Sequence, residues 1–296
     1  MRWGICLEEA CMAGKRQTPT VRLRRLAAEL RTLRASAGLT RDEVVERTGI
    51  NVATLYRIEH ARVRPQTRTL RTLLDLYGAE REHQDELVAL LRDARQRGWL
   101  HAYQSELPEQ YTTYIGFEGE ARSVWNYESL YIPGLLQTED YARAVIGAGL
   151  PGARREDIEP RVEVRMQRQD VLRNDNPLEL WGIVDEAALQ RQVGGPAVMQ
   201  AQLGHLLEAA KLPNITFQVI PFSVGAHAGM PGSFVFMQFT EATIPDVIYL
   251  DSMAGDLFLE AEADVRRYRL AFEHLRAVAV SPDASKSLVA ALAAET

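Results

Sequence analysis

Asn51, Ala53, Thr54, Tyr56 and Arg57 bring an amide, a hydroxyl, a phenol, a guanidinium and one small side chain together in one short stretch. On a helix they would stand on its outer side, able to reach the bases or the walls of a DNA major groove, with Arg57 suited to a guanine. Arg41, Arg62, Arg64 and Arg68 flank them. Cations so placed suit phosphate oxygens, which fix a protein on the duplex and make its affinity depend on salt.

Three other sets invite a catalytic reading, and the sequence argues against each. The loop PFSVGAHAGMPGSF, from Pro221 to Phe234, is rich in glycine and centred on His227, so it could wrap a ligand. No lysine or acid stands at phosphate-loop spacing, and a long hairpin connection accounts for its glycines. Among the acids Asp185, Glu186, Asp251, Asp256 and Glu260, Asp185 reads as a helix cap and the others as strand-end or surface groups. Ser233, His227 and Asp251 form a trio that any chain of this size contains, and Ser233 lacks a nucleophile-elbow context. No histidine–acid spacing resembles a metal site. The expectation is a protein with no catalytic residue, no metal and no cofactor.

The elements that must position the first set are legible. In LTRDEVVERTGINVATLYRIEHARVRP, Thr40 and Glu43 form a capping-box pattern that opens one short helix. Gly49 ends it, since φ > 0 costs glycine little. Asn51 caps a second helix whose Ile50, Leu55 and Ile58 turn inward. The result is a helix-turn-helix. A bare helical hairpin that only fills a core is the competing reading, and charge tells against it. Residues 13–75 hold 14 Lys and Arg against 6 Asp and Glu, a net of +8 in a chain of net charge −6. A basic module on an acidic protein is the expected footprint of phosphate binding.

The 296 residues allow two domains, and the 46% apolar, 25% charged composition is that of an ordinary soluble protein. No apolar run is long enough for a bilayer. The opening MRWGICLEEACM does not read as a secretory signal, and its Cys6 and Cys11 are a weak metal signal. Cytosol is the default location. Residues 1–11 read as a dispensable extension or a misplaced start before Met12, and residues 13–20 as a basic arm.

Five helices follow: Val21 to Ala37, the two of the motif, Thr67 to Tyr77, and Glu80 to Gly98. Residues 98–116 form an aromatic-rich joint with Trp99, Tyr103, Tyr111 and Tyr114. Beyond it, Glu118 to Tyr127 reads as helical, Thr138 caps a helix, and Arg154 to Arg173 carries a long charged one. Strands at 178–184, 215–220, 233–239, 247–250 and 257–260 alternate with helices after Asp185, from Pro196 to Ala210, and over 263–279 and 285–294. A mixed sheet covered by helices is implied. In SLYIPGLLQ, the cluster Tyr131, Ile132, Pro133, Leu135 and Leu136 reads either as core or as a groove for a partner helix or peptide.

GINVATLYRIEHARVRP resembles the recognition-helix region of Xre/Cro-type repressors, whose pattern is Gly-Val-Ser-Gln-x-Thr-Ile-Ser-Arg-Ile-Glu-x-Gly-x-x-x-Pro. Gly49, Thr54, Arg57, Ile58, Glu59 and Pro65 fall on it. Val52 stands for a Gln that often contacts bases, Ala61 for the usual terminal Gly, and Arg41 for a Gln. The resemblance thus implies the docking mode and no base preference. YIPGLLQTEDYARAVI, RVEVRMQRQDVL, VDEAALQRQVGGPAVMQAQL and NITFQVIPFSVGAHAGMPGSF resemble the C-terminal domain of WhiJ-like regulators, actinobacterial proteins with an antitoxin-like effector domain. That resemblance implies a role in developmental or antibiotic gene control and a small partner protein encoded nearby.

The expected architecture is multidomain: a leader and arm over 1–19, an all-α helix-turn-helix domain over 20–98, the joint over 99–116, and an α+β domain over 117–296. The expected function is sequence-specific binding of double-stranded DNA by a homodimer in transcription control, with the second domain docking a partner or sensing a signal. The alternatives are an antitoxin-like module that mainly sequesters a partner, and a repressor that senses a small molecule through the His227 loop.

Overall fold

A computed structural model of the chain describes residues 21–93, 100, 103, 106–240, 245–253 and 255–295. The leader with Cys6 and Cys11, the basic arm, the end of the fifth helix toward Gly98 and much of the aromatic joint lie outside the described residues. The chain divides into two compact units, Met1–Arg95 and Gln96–Thr296.

The first unit contains α1 (Val21–Ser36), α2 (Arg41–Thr48), α3 (Val52–Glu59), α4 (Thr67–Leu76) and α5 (Arg81–Asp93). Each turns an apolar side inward, leucine-rich in α1, α4 and α5. Leu26 and Leu30 of α1, Val44 of α2, Leu55 and Ile58 of α3, Leu70, Leu73 and Leu74 of α4, and Leu87 and Leu91 of α5 make one core.

The second unit opens with α6 (Glu109–Glu118), so Tyr111 and Tyr114 of the expected joint belong to it. Then come β1 (Ser123–Glu128), α7 (Glu139–Gly149), α8 (Arg155–Arg168), β2 (Glu179–Asp185), α9 (Glu186–Gln190), α10 (Pro196–Ala209) and β3 (Ile215–Ile220). The remainder is β4 (Phe234–Gln238), β5 (Val247–Leu250), β6 (Leu257–Leu259), α11 (Glu262–Val278) and α12 (Pro282–Glu295). Among the described residues the strands form one six-stranded sheet in the order β3-β2-β1-β4-β5-β6. β1, β2 and β3 run parallel, and β4, β5 and β6 are added antiparallel. Successive side chains of a strand point to opposite faces. On one face Tyr127, Ile183, Phe236 and Ile248 meet Phe272 and Leu275 of α11. On the other, a side chain at Gly182 would touch Pro133 and Leu136, whose segment lies against the sheet there.

One expected element is corrected. The run from Glu118 to Tyr127 is not a helix: α6 ends at Glu118 and the chain re-enters as β1 at Ser123. SVWNYE has β-branched and aromatic character, and its pairing on both sides, with β2 and with β4, decides its conformation. Among the described residues no helix is long and apolar enough to cross a membrane.

Candidate nucleic-acid interface

Local rules build the motif. Thr40 Oγ1 accepts from the Glu43 N–H (3.3 Å), and Glu43 Oε2 accepts from the Thr40 N–H (2.7 Å). The Thr40 N–H also holds the Glu43 carboxyl below its ordinary pKa. Gly49, at φ 70°, ends α2 by donating its N–H to the Val45 carbonyl (2.8 Å). Asn51 Oδ1 accepts from the Ala53 N–H (2.9 Å) and opens α3.

With Leu55 and Ile58 buried, α3 leaves Asn51, Val52, Ala53, Tyr56 and Arg57 exposed and Thr54 half-buried. The residues expected at the bases therefore share one outer face. Arg57 folds back along its own helix, donating from Nε to the Ala53 carbonyl (3.2 Å) and from Nη2 to Thr54 Oγ1 (3.3 Å). Both bonds are exposed and can be exchanged for acceptors on DNA. The Tyr56 ring stacks on His60 at 3.9 Å, with the Arg41 and Arg62 guanidiniums 5.4 and 5.5 Å from its centroid.

Two of the arginines expected at phosphates also make bonds within the fold. Arg41 Nε donates to Glu59 Oε2 (2.7 Å), and Arg64 donates to the Leu91 carbonyl, tying the loop after α3 to α5. Arg62, Arg64 and Arg68 are exposed, and Arg41 is half-buried. Arg24 of α1 is buried.

The sequence alone gives Glu59 no role beyond its place in the family pattern, and Val52 stands out in it only as a departure from that pattern. Glu59 is fully buried, and its carboxylate takes both Arg34 Nε (2.6 Å) and Arg41 Nε (2.7 Å), while its carbonyl accepts from Arg31. This buried acid clamps the end of α3 to α1 and α2, so it sets the angle at which α3 is presented. Burial and then the Glu59 charge raise the nearby Tyr77 phenol to about 12, against the opposing pull of Arg34. No local spacing in the sequence announces this clamp, because its arginines come from two other helices. Val52 is 46% exposed at the start of α3, an apolar group beside the small Ala53 on the outer face.

In the second unit the predicted sites separate. Ile132, Pro133, Leu135 and Leu136 are buried and Tyr131 is half-buried, so this cluster is core and not a docking groove. Its backbone is pinned as well. Tyr141 Oη accepts from the Ile132 N–H (3.1 Å), and Gln202 Nε2 donates to the Leu136 carbonyl (2.7 Å). His227 is an anchor. Its side chain is 6% exposed, Nδ1 accepts from the Gly229 N–H (3.2 Å), and Nε2 lies 3.3 Å from Asp185 Oδ2. That pattern fits a neutral imidazole protonated at Nε2. Glu186 Oε2 accepts from the Phe222 N–H (2.8 Å), fixing the other end of the same loop. Ser233 Oγ meets Ser129, so the Ser233, His227 and Asp251 trio is not assembled as a hydrogen-bonded chain. Among the described residues no cluster of His, Cys, Asp and Glu could hold a metal ion.

A helix-turn-helix domain model matches residues 25–87, the first unit's α1 to α5 region. The first unit is thus of a class that suggests DNA binding. A second model, described as "Domain of unknown function (DUF5753)", matches residues 111–291, more than half of the chain, and the chain belongs to that family. No curated protein and no solved structure matches the chain.

Proposed function

We propose that this chain is a sequence-specific transcriptional regulator of the Xre/Cro type that inserts α3 into the major groove of double-stranded DNA. The observation that carries the reading is the outer face of α3, where Tyr56 and Arg57 stand exposed in a module of strong net positive charge. Val52, Ala53, Thr54, Tyr56 and Arg57 meet bases or the groove wall. Arg62 and Arg68 meet phosphates. One such domain has a small footprint, so the active species is a two-fold dimer on near-palindromic sites. The protein works in the cytoplasm and is not an enzyme.

The second unit, in this reading, receives the signal. The WhiJ-like resemblance favours a small partner protein, but the cluster expected to dock it is core. A small-molecule signal has the better support, because the second unit holds a cavity at the end of its central strand whose lining includes Glu128, Arg165 and Asp251. Fluorescence anisotropy on DNA from upstream of the gene tests the first part. Binding that survives excess random DNA supports it; binding abolished by random DNA overturns sequence-specific regulation and moves partner sequestration to first place.

A further inference from the structure

β1 is the turning point of the sheet, with parallel β2 on one side and antiparallel β4 on the other. In open α/β sheets the carboxyl end of such a strand is where ligands bind. A cavity of about 410 Å³ opens there, a size typical of small-molecule sites. The 221–233 loop crosses this end of the sheet, and its last residues, Gly232 and Ser233, line the cavity. It is held by the His227–Asp185 and Phe222–Glu186 contacts and by Gly229, which lies so close to Tyr127 that a Cβ there would fall 2.4 Å from the ring.

Two charged residues of opposite sign line this cavity without satisfying each other. Glu128, the last residue of β1, is 6% exposed. Its Oε1 accepts from Asn126 (3.2 Å), and its Oε2 has no hydrogen-bond partner among the described residues. An ionised carboxylate has room for about four donors. Arg165 of α8 sends Nη1 to Gln137 Oε1 (3.0 Å), and its buried Nε has no partner among the described residues. These are the second unit's buried unpartnered side-chain atoms among the described residues, and both residues line the same cavity. Such atoms are costly unless something meets them. By contrast Arg168, also in the wall, is matched by Glu118 through two bonds of 2.8 Å and by the hydroxyl of Tyr111 (2.6 Å). Its charge is spent. Asp251, which is exposed, adds a second carboxylate to the lining. Tyr114 and Tyr249, with ring centroids 4.3 Å apart, supply an apolar wall.

We propose that this cavity binds a small zwitterion of the free amino-acid type, its ammonium on Glu128 and Asp251 and its carboxylate on Arg165. A simple anion would meet two carboxylates, and a simple cation would leave Arg165 unanswered. A ligand with both charges answers both, and its side chain lies against the tyrosines. Burial raises the Glu128 carboxyl to about 7, with Asp251 adding to the rise and Ser233, Asn126 and Arg165 opposing it, so an ammonium beside it would restore its charge. The inference stands apart from the DNA-binding reading, and its test contains no DNA.

The test is a thermal-shift screen of the full-length protein against each of the twenty common amino acids at about 10 mM, with titration calorimetry on those that raise the melting temperature. The expected result is saturable binding of at least one, weakened about tenfold or more by Glu128→Gln and by Arg165→Gln. The N-acetyl and methyl-ester derivatives of that amino acid should bind about tenfold or more weakly to the unaltered protein, which needs no variant to fold. No binding across the panel overturns the proposal, as does binding that both variants and both derivatives retain.

Discussion

Replacing Glu128 with Gln removes a charge that the fold holds at a disadvantage. Burial moves its carboxyl from the usual 4.5 to about 7, and Asp251 adds to the rise. The gap is worth about 3 kcal/mol. Its direction follows from proton counting. Between pH 4.5 and 7 the native state keeps a proton that the unfolded chain has lost, so stability falls as pH rises through that window. The penalty is about 1 kcal/mol at pH 5 and essentially complete, at about 3 kcal/mol, by pH 8. Glu128→Gln carries no such penalty and keeps a carbonyl for Asn126. Its stability relative to the unaltered protein should therefore grow by about 2 kcal/mol from pH 5 to pH 8. Urea unfolding followed by tryptophan fluorescence reads this, since Trp125 and Trp181 both lie in the sheet. A stability difference that stays constant with pH, or shrinks as pH rises, would refute the reasoning.

Other perturbations probe the frame around each site. Glu59→Gln leaves Arg34 and Arg41 without their buried counter-charge and should cost about 2–4 kcal/mol of first-unit stability, read by circular dichroism melting. Ala61 adopts φ 55°, the one non-glycine in that region among the described residues, so Ala61→Gly should stabilise by about 0.5–1 kcal/mol in the same melt. Gly229→Ala drives a methyl into the Tyr127 ring and should cost about 1–3 kcal/mol of second-unit stability in urea.

Where local chemistry decides, the sequence was readable. The Thr40–Glu43 box, the left-handed Gly49 and the Asn51 cap are short-range devices, and each stands where its residue types place it. The strand at 215–220 and the helix from Pro196 were legible for the same reason. β1 was not, because six residues after a helix carry little periodicity and the strand is made by its neighbours. The buried features escaped for a related cause. Glu59 draws on arginines far away in sequence, and the Glu128 cavity gathers residues from α6, α8, β1 and β5. The YIPGLLQ cluster was ambiguous because apolar composition alone does not tell a core from a groove.

The central claim, that α3 reads sequence in DNA, is tested most directly by selecting binding sites from a random-sequence DNA pool with the full-length protein and repeating the selection with Arg57→Ala. The account predicts one enriched motif arranged as paired half-sites, and a variant that loses about 1–3 kcal/mol of discrimination at a single base position within each half-site. A pool that stays random after selection, or a motif that Arg57→Ala selects unchanged, would contradict it.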